Sequence, residues 1–184
     1  MKMNKGLFVI TMLATLFFTS CSEFNNIIKS GDYLYRYEAA KQYYADGKYT
    51  RAVVLLQDVI SVLKGTDKGE ESLYLLGISA YKARDYEAAA NFLKKYYETY
   101  TNGLYTQDAR FYNAMALYKN TPEPKLDQTE TYEAVTAFQN LLEIFPQSIY
   151  AKESQDMIFK LQDKLVEKEY LSAKTYFDLG SYFG

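Results

Sequence analysis

Gly47-Lys48-Tyr49-Thr50-Arg51-Ala52 and Ala83-Arg84-Asp85-Tyr86-Glu87-Ala88-Ala89 are one joint written twice. Tyr49 and Tyr86 stand 37 residues apart, and so do Ala52 and Ala89. Each joint separates two stretches whose apolar residues recur at helical spacing. Within 51–63, for example, Ala52, Val53, Leu55, Leu56, Val59, Ile60 and Leu63 form one wide stripe. A third copy puts Thr131 in the Tyr place and Ala134 in the small place, followed by Phe138, Leu141 and Pro146. A fourth begins at Leu179-Gly180-Ser181-Tyr182. Proline occurs only at 122, 124 and 146, and no stretch alternates strictly, so the class is all-α. At such a joint the first helix stops at a Gly or a short polar turn and the Tyr packs at the corner. The small residue lets the two helices approach; a larger one costs about 1–3 kcal/mol through overpacking. One hairpin cannot bury its own apolar face, so successive hairpins stack.

The pattern resembles the tetratricopeptide repeat. Leu73, Leu76, Gly77 and Tyr81 approximate its first-helix consensus; Arg36, Ala39, Ala40 and Tyr43 do so one repeat earlier, and Phe111, Ala114, Met115 and Tyr118 one repeat later. The resemblance implies a right-handed superhelix of antiparallel helix pairs over 32–184. Its repeats fall at about 33–68, 70–103 and 108–148, with a partial repeat at 149–184. Asn120 to Gln128 (NTPEPKLDQ) is an insertion that splits the third hairpin, because Pro122 and Pro124 cannot continue a helix interior. From Tyr150 to Leu179 there is neither Gly nor Pro, which predicts one long helix or two broken near Glu167–Tyr170. The pattern stops inside the fourth repeat, as a truncated solenoid would, leaving Leu171, Tyr176 and Leu179 without a covering helix.

Composition removes several kinds of chemistry. The 184 residues include no His, no Trp and one Cys, but 20 Tyr and 11 Phe. Without His there is no Ser-His-Asp or Cys-His catalytic set and no histidine-bearing zinc site. One Cys allows neither an intrachain disulfide nor a thiolate cluster. With 21 basic and 23 acidic residues, the net charge of −2 argues against nucleic acid as a partner. Acidic pairs such as Glu70-Glu71 read as solvated helix faces, and no pair of carboxylates flanks an evident pocket. The chain is not expected to be an enzyme.

Residues 1–20 read as an address. Lys2 and Lys5 precede twelve uncharged residues, Leu7 to Phe18, a length that suits a signal peptide and is short for a membrane span. Thr19 and Ser20 then lead directly to Cys21. The run resembles a bacterial lipoprotein signal, with Phe18 where Leu is usual. That resemblance implies cleavage before Cys21 and lipidation there by diacylglycerol and an acyl chain; no other cofactor is expected. Removing residues 1–20 leaves a net charge of −4. Residues 21–31, the polar SEFNNIIKSG after the Cys, read as a lipidated tether.

A ladder of tyrosines runs across the repeats. Tyr37 and Tyr44 are seven residues apart, two helical turns, and so share a face; Tyr74 and Tyr81 repeat the spacing, as do Tyr112 and Lys119. All six lie on first helices, which line the concave side of such solenoids. The predicted site is a peptide groove of Tyr37, Tyr44, Tyr74, Tyr81 and Tyr112 with Lys41, Lys82 and Lys119 beside it. Tyr offers broad apolar contact at low rotamer cost plus a hydroxyl for peptide groups, and the lysines suit a terminal carboxylate. Tyr96, Tyr97 and Tyr100 fall on a second helix and read as packing residues.

Phe145-Pro146-Gln147-Ser148-Ile149-Tyr150-Ala151 resembles the aromatic-Pro-x-Ser-x-Tyr-Ala joint of the BamD lipoproteins. Leu161, Leu165, Glu169, Ala173 and Tyr176-Phe177 follow that family's spacing, and the stretch from Asp127 to Phe138 agrees. The resemblance implies a lipid-anchored outer-membrane protein facing the periplasm, in the machinery that folds β-barrel proteins into that membrane. Its partners would be a BamA-like barrel subunit and the C-terminal segments of unfolded outer-membrane proteins. Another envelope repeat lipoprotein stays open as an alternative, either a SusD-like nutrient-capture partner or a division or envelope scaffold. Glycan capture usually uses Trp, which this chain lacks.

Overall fold

The computed structural model describes residues 23–180. The signal sequence, Cys21, and Ser181 and Tyr182 of the fourth joint therefore lie outside the described residues. Helix α1 spans Tyr33–Ala45, α2 Tyr49–Val62, α3 Asp67–Lys82, α4 Tyr86–Thr99, α5 Thr106–Asn120, α6 Thr129–Ile144 and α7 Ala151–Asp178. Among the described residues there is no strand, and the fold is all-α.

The two repeated joints are the same C-terminal cap. At the end of α1, Gly47 takes φ 73°, its N–H reaches Tyr44 O at 3.0 Å, and the Lys48 N–H reaches Tyr43 O at 2.8 Å. At the end of α3, Arg84 takes φ 66°, with N–H bonds from Arg84 to Tyr81 O and from Asp85 to Ala80 O, both 3.0 Å. This is the Schellman pairing, which satisfies carbonyls that a helix end would otherwise leave bare. The corner tyrosines then behave alike: Tyr49 meets Tyr44, and Tyr86 meets Tyr81, each edge-to-face at 5.6 Å and 63°. Ala52 and Ala89 are fully buried at the close approach of each pair. Asp32, Thr66 and Asp85 cap α1, α3 and α4 by accepting first-turn N–H bonds.

Three apolar clusters hold the stack, and each needs the next repeat to complete it. The first joins Tyr37, Ala40, Leu55, Leu56 and Val59 to Leu76 of α3. The second joins Leu73, Ala89, Leu93 and Tyr96 to Ala109 and Ala116 of α5. The third joins Phe111, Ala134, Phe138 and Leu141 to Ile158 and Leu161 of α7. Each helix packs on its neighbours in sequence, and the first helices α1, α3, α5 and α7 also meet one another side by side. They form the inner layer of a solenoid.

One expectation changes, and one of two alternatives is decided. Residues 23–29 are not a loose tether but a helical segment packed on the first repeat. Phe24, Ile27 and Ile28 fall at i, i+3 and i+4, so they form one apolar face: Ile27 is 4% exposed, and the Phe24 ring meets Tyr43 at 5.4 Å. The segment after Tyr150 runs as one 28-residue helix through Glu167–Tyr170 without a break. The insertion is held from that helix. Lys164 donates to Thr121 Oγ1 at 2.7 Å and to Pro122 O at 3.0 Å, and Lys168 donates to Lys125 O and Leu126 O, both at 3.1 Å.

Candidate functional site: an aromatic groove

Tyrosines of successive first helices converge on the inner face. The rings of Tyr81 and Tyr112 meet edge-on at 5.2 Å, and Tyr112 meets Tyr150 at 6.3 Å. Tyr150 in turn stacks on Phe111 at 4.0 Å and 7°. Tyr74 stacks on Tyr105 at 4.3 Å and 5°, which brings a residue of the α4–α5 turn into the wall. Tyr44, Tyr74, Tyr81 and Tyr112 are each half-buried, with an edge open to solvent. The Tyr74 hydroxyl is held far above its ordinary pKa, first by burial, then by Asp108 and by the hydroxyls of Tyr44, Tyr112 and Tyr150. Residues from three other inner-layer helices, α1, α5 and the start of α7, therefore act on one group of α3.

Tyr37 sits elsewhere. It is 2% exposed, with its ring in the first core cluster and its hydroxyl bonded to Glu71. It supports the groove wall rather than lining it, because α3 lies directly over that part of α1. Burial and the Glu71 hydrogen bond push its pKa to about 12. The three lysines also divide. Lys41 is at the wall but pairs with Glu71 at 3.0 Å, Lys82 is exposed at the end of α3, and Lys119 lies over the Tyr118 ring at 5.6 Å.

Glu70 and Glu71 are not a solvated pair. Glu71 takes the Tyr37 hydroxyl and Lys41; burial would raise its pKa, but these hydrogen bonds outweigh burial and leave it below the usual carboxylate value. Glu70 Oε1 accepts from Tyr96 Oη at 2.6 Å and from the Leu104 N–H at 2.8 Å. The Tyr96 hydroxyl accepts the Tyr105 N–H at 3.0 Å, so one carboxylate ties α3, α4 and the following turn together. Tyr96 is fully buried, a packing residue with a polar end.

The sequence held a signal for Tyr150 that residue spacing within helices did not use. Tyr37, Tyr74, Tyr112 and Tyr150 advance by 37, 38 and 38 residues, so Tyr150 continues the first row. Glu71 and Asp108 are likewise 37 apart, and Asp108 accepts the Tyr150 hydroxyl at 2.9 Å as Glu71 accepts that of Tyr37. Tyr105, on a turn, had no such periodic cue.

Among the described residues no group of three or more His, Cys, Asp or Glu could hold a metal ion, and no helix is long and apolar enough to cross a membrane. The arrangement presents aromatic ring edges and hydroxyl groups side by side along the inner layer.

Residues 32–184 match the profile of the YfiO family, described as outer membrane lipoprotein. The chain is 26% identical over 171 residues to a protein of Aquifex aeolicus (strain VF5) named as an outer membrane protein assembly factor BamD. That match takes in 92% of this chain and 56% of the relative, so the chain spans little more than half of the relative's length. Among solved structures, kinesin light chain TPR-like repeats of Podospora anserina superpose with a TM-score of 0.52 at 17% identity, over 78% of this chain and 76% of that one. A second structure of those repeats gives 0.51 at 16%, with the same coverage. Likeness at this identity shows a shared tetratricopeptide-type fold alone.

Proposed function

The chain belongs to the YfiO family of outer membrane lipoproteins, and from that premise we propose that it is a lipid-anchored adaptor in the assembly of outer-membrane β-barrel proteins. The relative named as assembly factor BamD supports the general role. In this reading the tyrosine groove holds segments of unfolded barrel proteins, and the solenoid engages a BamA-like barrel subunit. Lipid on Cys21 holds it at the periplasmic side of the outer membrane. The observation that carries the reading is the row of half-buried tyrosines from α1 to the start of α7, in ring contact from Tyr81 through Tyr112 to Tyr150, which suits an extended peptide better than a compact ligand.

Capture from source-cell membranes with intact and Cys21→Ala protein tests the assignment. Recovery of a BamA-like subunit supports it; enrichment of a transporter or glycan in its place refutes it. A narrower test uses a barrel C-terminal peptide. Tyr74→Ala with Tyr81→Ala should weaken its binding by well over tenfold, a loss of at least about 1.4 kcal/mol. Unchanged affinity, with helicity intact by circular dichroism, dismisses the groove.

A further inference from the structure

Two carboxylates stand beside the tyrosine row in the first turns of α5 and α7. Asp108 lies four residues before Tyr112 on α5 and is bonded to the Tyr150 hydroxyl. Glu153 stands in the first turn of α7, three residues after Tyr150, and is exposed. Arg36–Asp58, Lys41–Glu71, Lys48–Asp46, Lys68–Glu38 and Lys94–Glu98 form ion pairs, and none of these takes in Asp108 or Glu153, which among the described residues stand outside any such pair.

The surrounding rings register the same imbalance. Apart from burial and neighbouring hydroxyls, Tyr74 is perturbed by Asp108, Tyr81 by Glu153, and Tyr112 and Tyr150 by both. Of the three lysines beside the groove, Lys41 is matched by Glu71, while Lys82 and Lys119 sit in the last turns of α3 and α5, at the opposite helix end from Asp108 and Glu153 in the first turns of α5 and α7. A segment entering here meets aromatic faces, which attract cations through the ring quadrupole, and two unmatched carboxylates. The same field opposes an acidic side chain or a terminal carboxylate.

We propose that the groove selects extended peptide segments carrying lysine or arginine beside their aromatic residues, the cation facing Asp108 and Glu153 and the aromatic rings lying on Tyr74, Tyr81 and Tyr112. This rests on the groove reading above and adds the chemistry of the occupant. The terminal carboxylate of a barrel segment then lies away from Asp108 and Glu153, and selectivity comes from internal basic-aromatic pairs.

Three fluorescent peptides of one length test it on the purified protein by anisotropy. One carries aromatic residues alternating with Lys, the second replaces Lys by Glu, and the third keeps Lys but replaces the aromatics by Ala. The first should bind at least tenfold more tightly than either of the others, with its advantage over the Glu peptide shrinking as salt rises. In Asp108→Asn with Glu153→Gln, which keeps an acceptor for Tyr150, the difference between Lys and Glu peptides should fall to within about twofold. If the Lys and Glu peptides bind the unmodified protein equally and Tyr74→Ala weakens both, the charge selectivity is overturned while the groove stands. If no peptide binds the unmodified protein, the groove falls and this inference falls with it.

Discussion

Gly77 on α3 lies at a close approach between the first and second helices of the second repeat. A Cβ built there would lie 2.6 Å from Leu93 Cγ, 2.7 Å from Leu93 Cδ2 and 3.2 Å from the Leu93 backbone N. Carbon atoms prefer roughly 3.5–4.0 Å, so the overlap is about 1 Å. Leu93 is fully buried and packs in the second core cluster, so it has no open side to turn toward. Overpacking of this kind costs about 1–3 kcal/mol. Against it stands the gain of replacing Gly by Ala in a helix interior, about 0.8–1.0 kcal/mol. Gly77→Ala should therefore destabilise by about 1 kcal/mol, lowering Tm by roughly 2–4 °C for a chain of this size. The sign should reverse in a Leu93→Ala background. There the cavity receives the new methyl, the helix gain remains, and Gly77→Ala should stabilise by up to about 1 kcal/mol relative to Leu93→Ala alone. Urea denaturation of the four proteins, followed by circular dichroism, measures the cycle. Gly77→Ala acting identically in both backgrounds, or stabilising the unmodified protein, would refute contact between the two helices as the reason for Gly. Because α3 carries Tyr74 and Tyr81 on either side of Gly77, the destabilising variant should also lose peptide affinity.

Other outcomes follow from the same geometry. Arg84 holds the left-handed cap conformation that Gly47 holds one repeat earlier, at a cost of about 1–2 kcal/mol for a non-glycine residue. Arg84→Gly should stabilise by about 0.5–1 kcal/mol after the entropy gained by the unfolded chain, as a raised urea midpoint; a lowered midpoint contradicts the cap account. Tyr96→Phe removes the hydroxyl between Glu70 and the Tyr105 N–H and should cost about 1–3 kcal/mol, while Tyr100→Phe, which breaks no such bridge, should cost less. At high pH the raised pKa values of Tyr37, Tyr74, Tyr96 and Tyr150 act together. Each contributes stability that is complete below the unfolded value of 10.0 and is lost as pH rises toward the folded value. Unfolding free energy should therefore fall above pH 10, by about 1.4 kcal/mol per pH unit for each such tyrosine. Glu71, held below its usual value, gives stability that is lost as pH falls below 4.5. Denaturation curves at pH 7, 9, 10 and 11 check the alkaline arm, and a flat profile above pH 10 contradicts it.

The all-α repeat and its corners were legible in the sequence because their causes are local. A cap depends on residues within five positions, and the corner Tyr packs on a residue five before it, as Tyr49 on Tyr44 and Tyr86 on Tyr81. A period near 37 then carries each local solution to the next repeat, which is why the tyrosine row can be counted on the chain, Tyr150 included. What occupies the space between repeats could not be counted. Tyr37 and Glu71 are 34 residues apart, Tyr96 and Glu70 26, Tyr150 and Asp108 42, so each pairing depends on how far one helix slides and turns against another. Packing alone decided that Tyr37 is core while Tyr74 is wall. It also decided that Lys41 is matched by Glu71, while Asp108 takes the hydroxyl of Tyr150. The helix after residue 22 shows the same division: Phe24, Ile27 and Ile28 fix its apolar face, but only the open side of α1 and α2 gives that face something to cover.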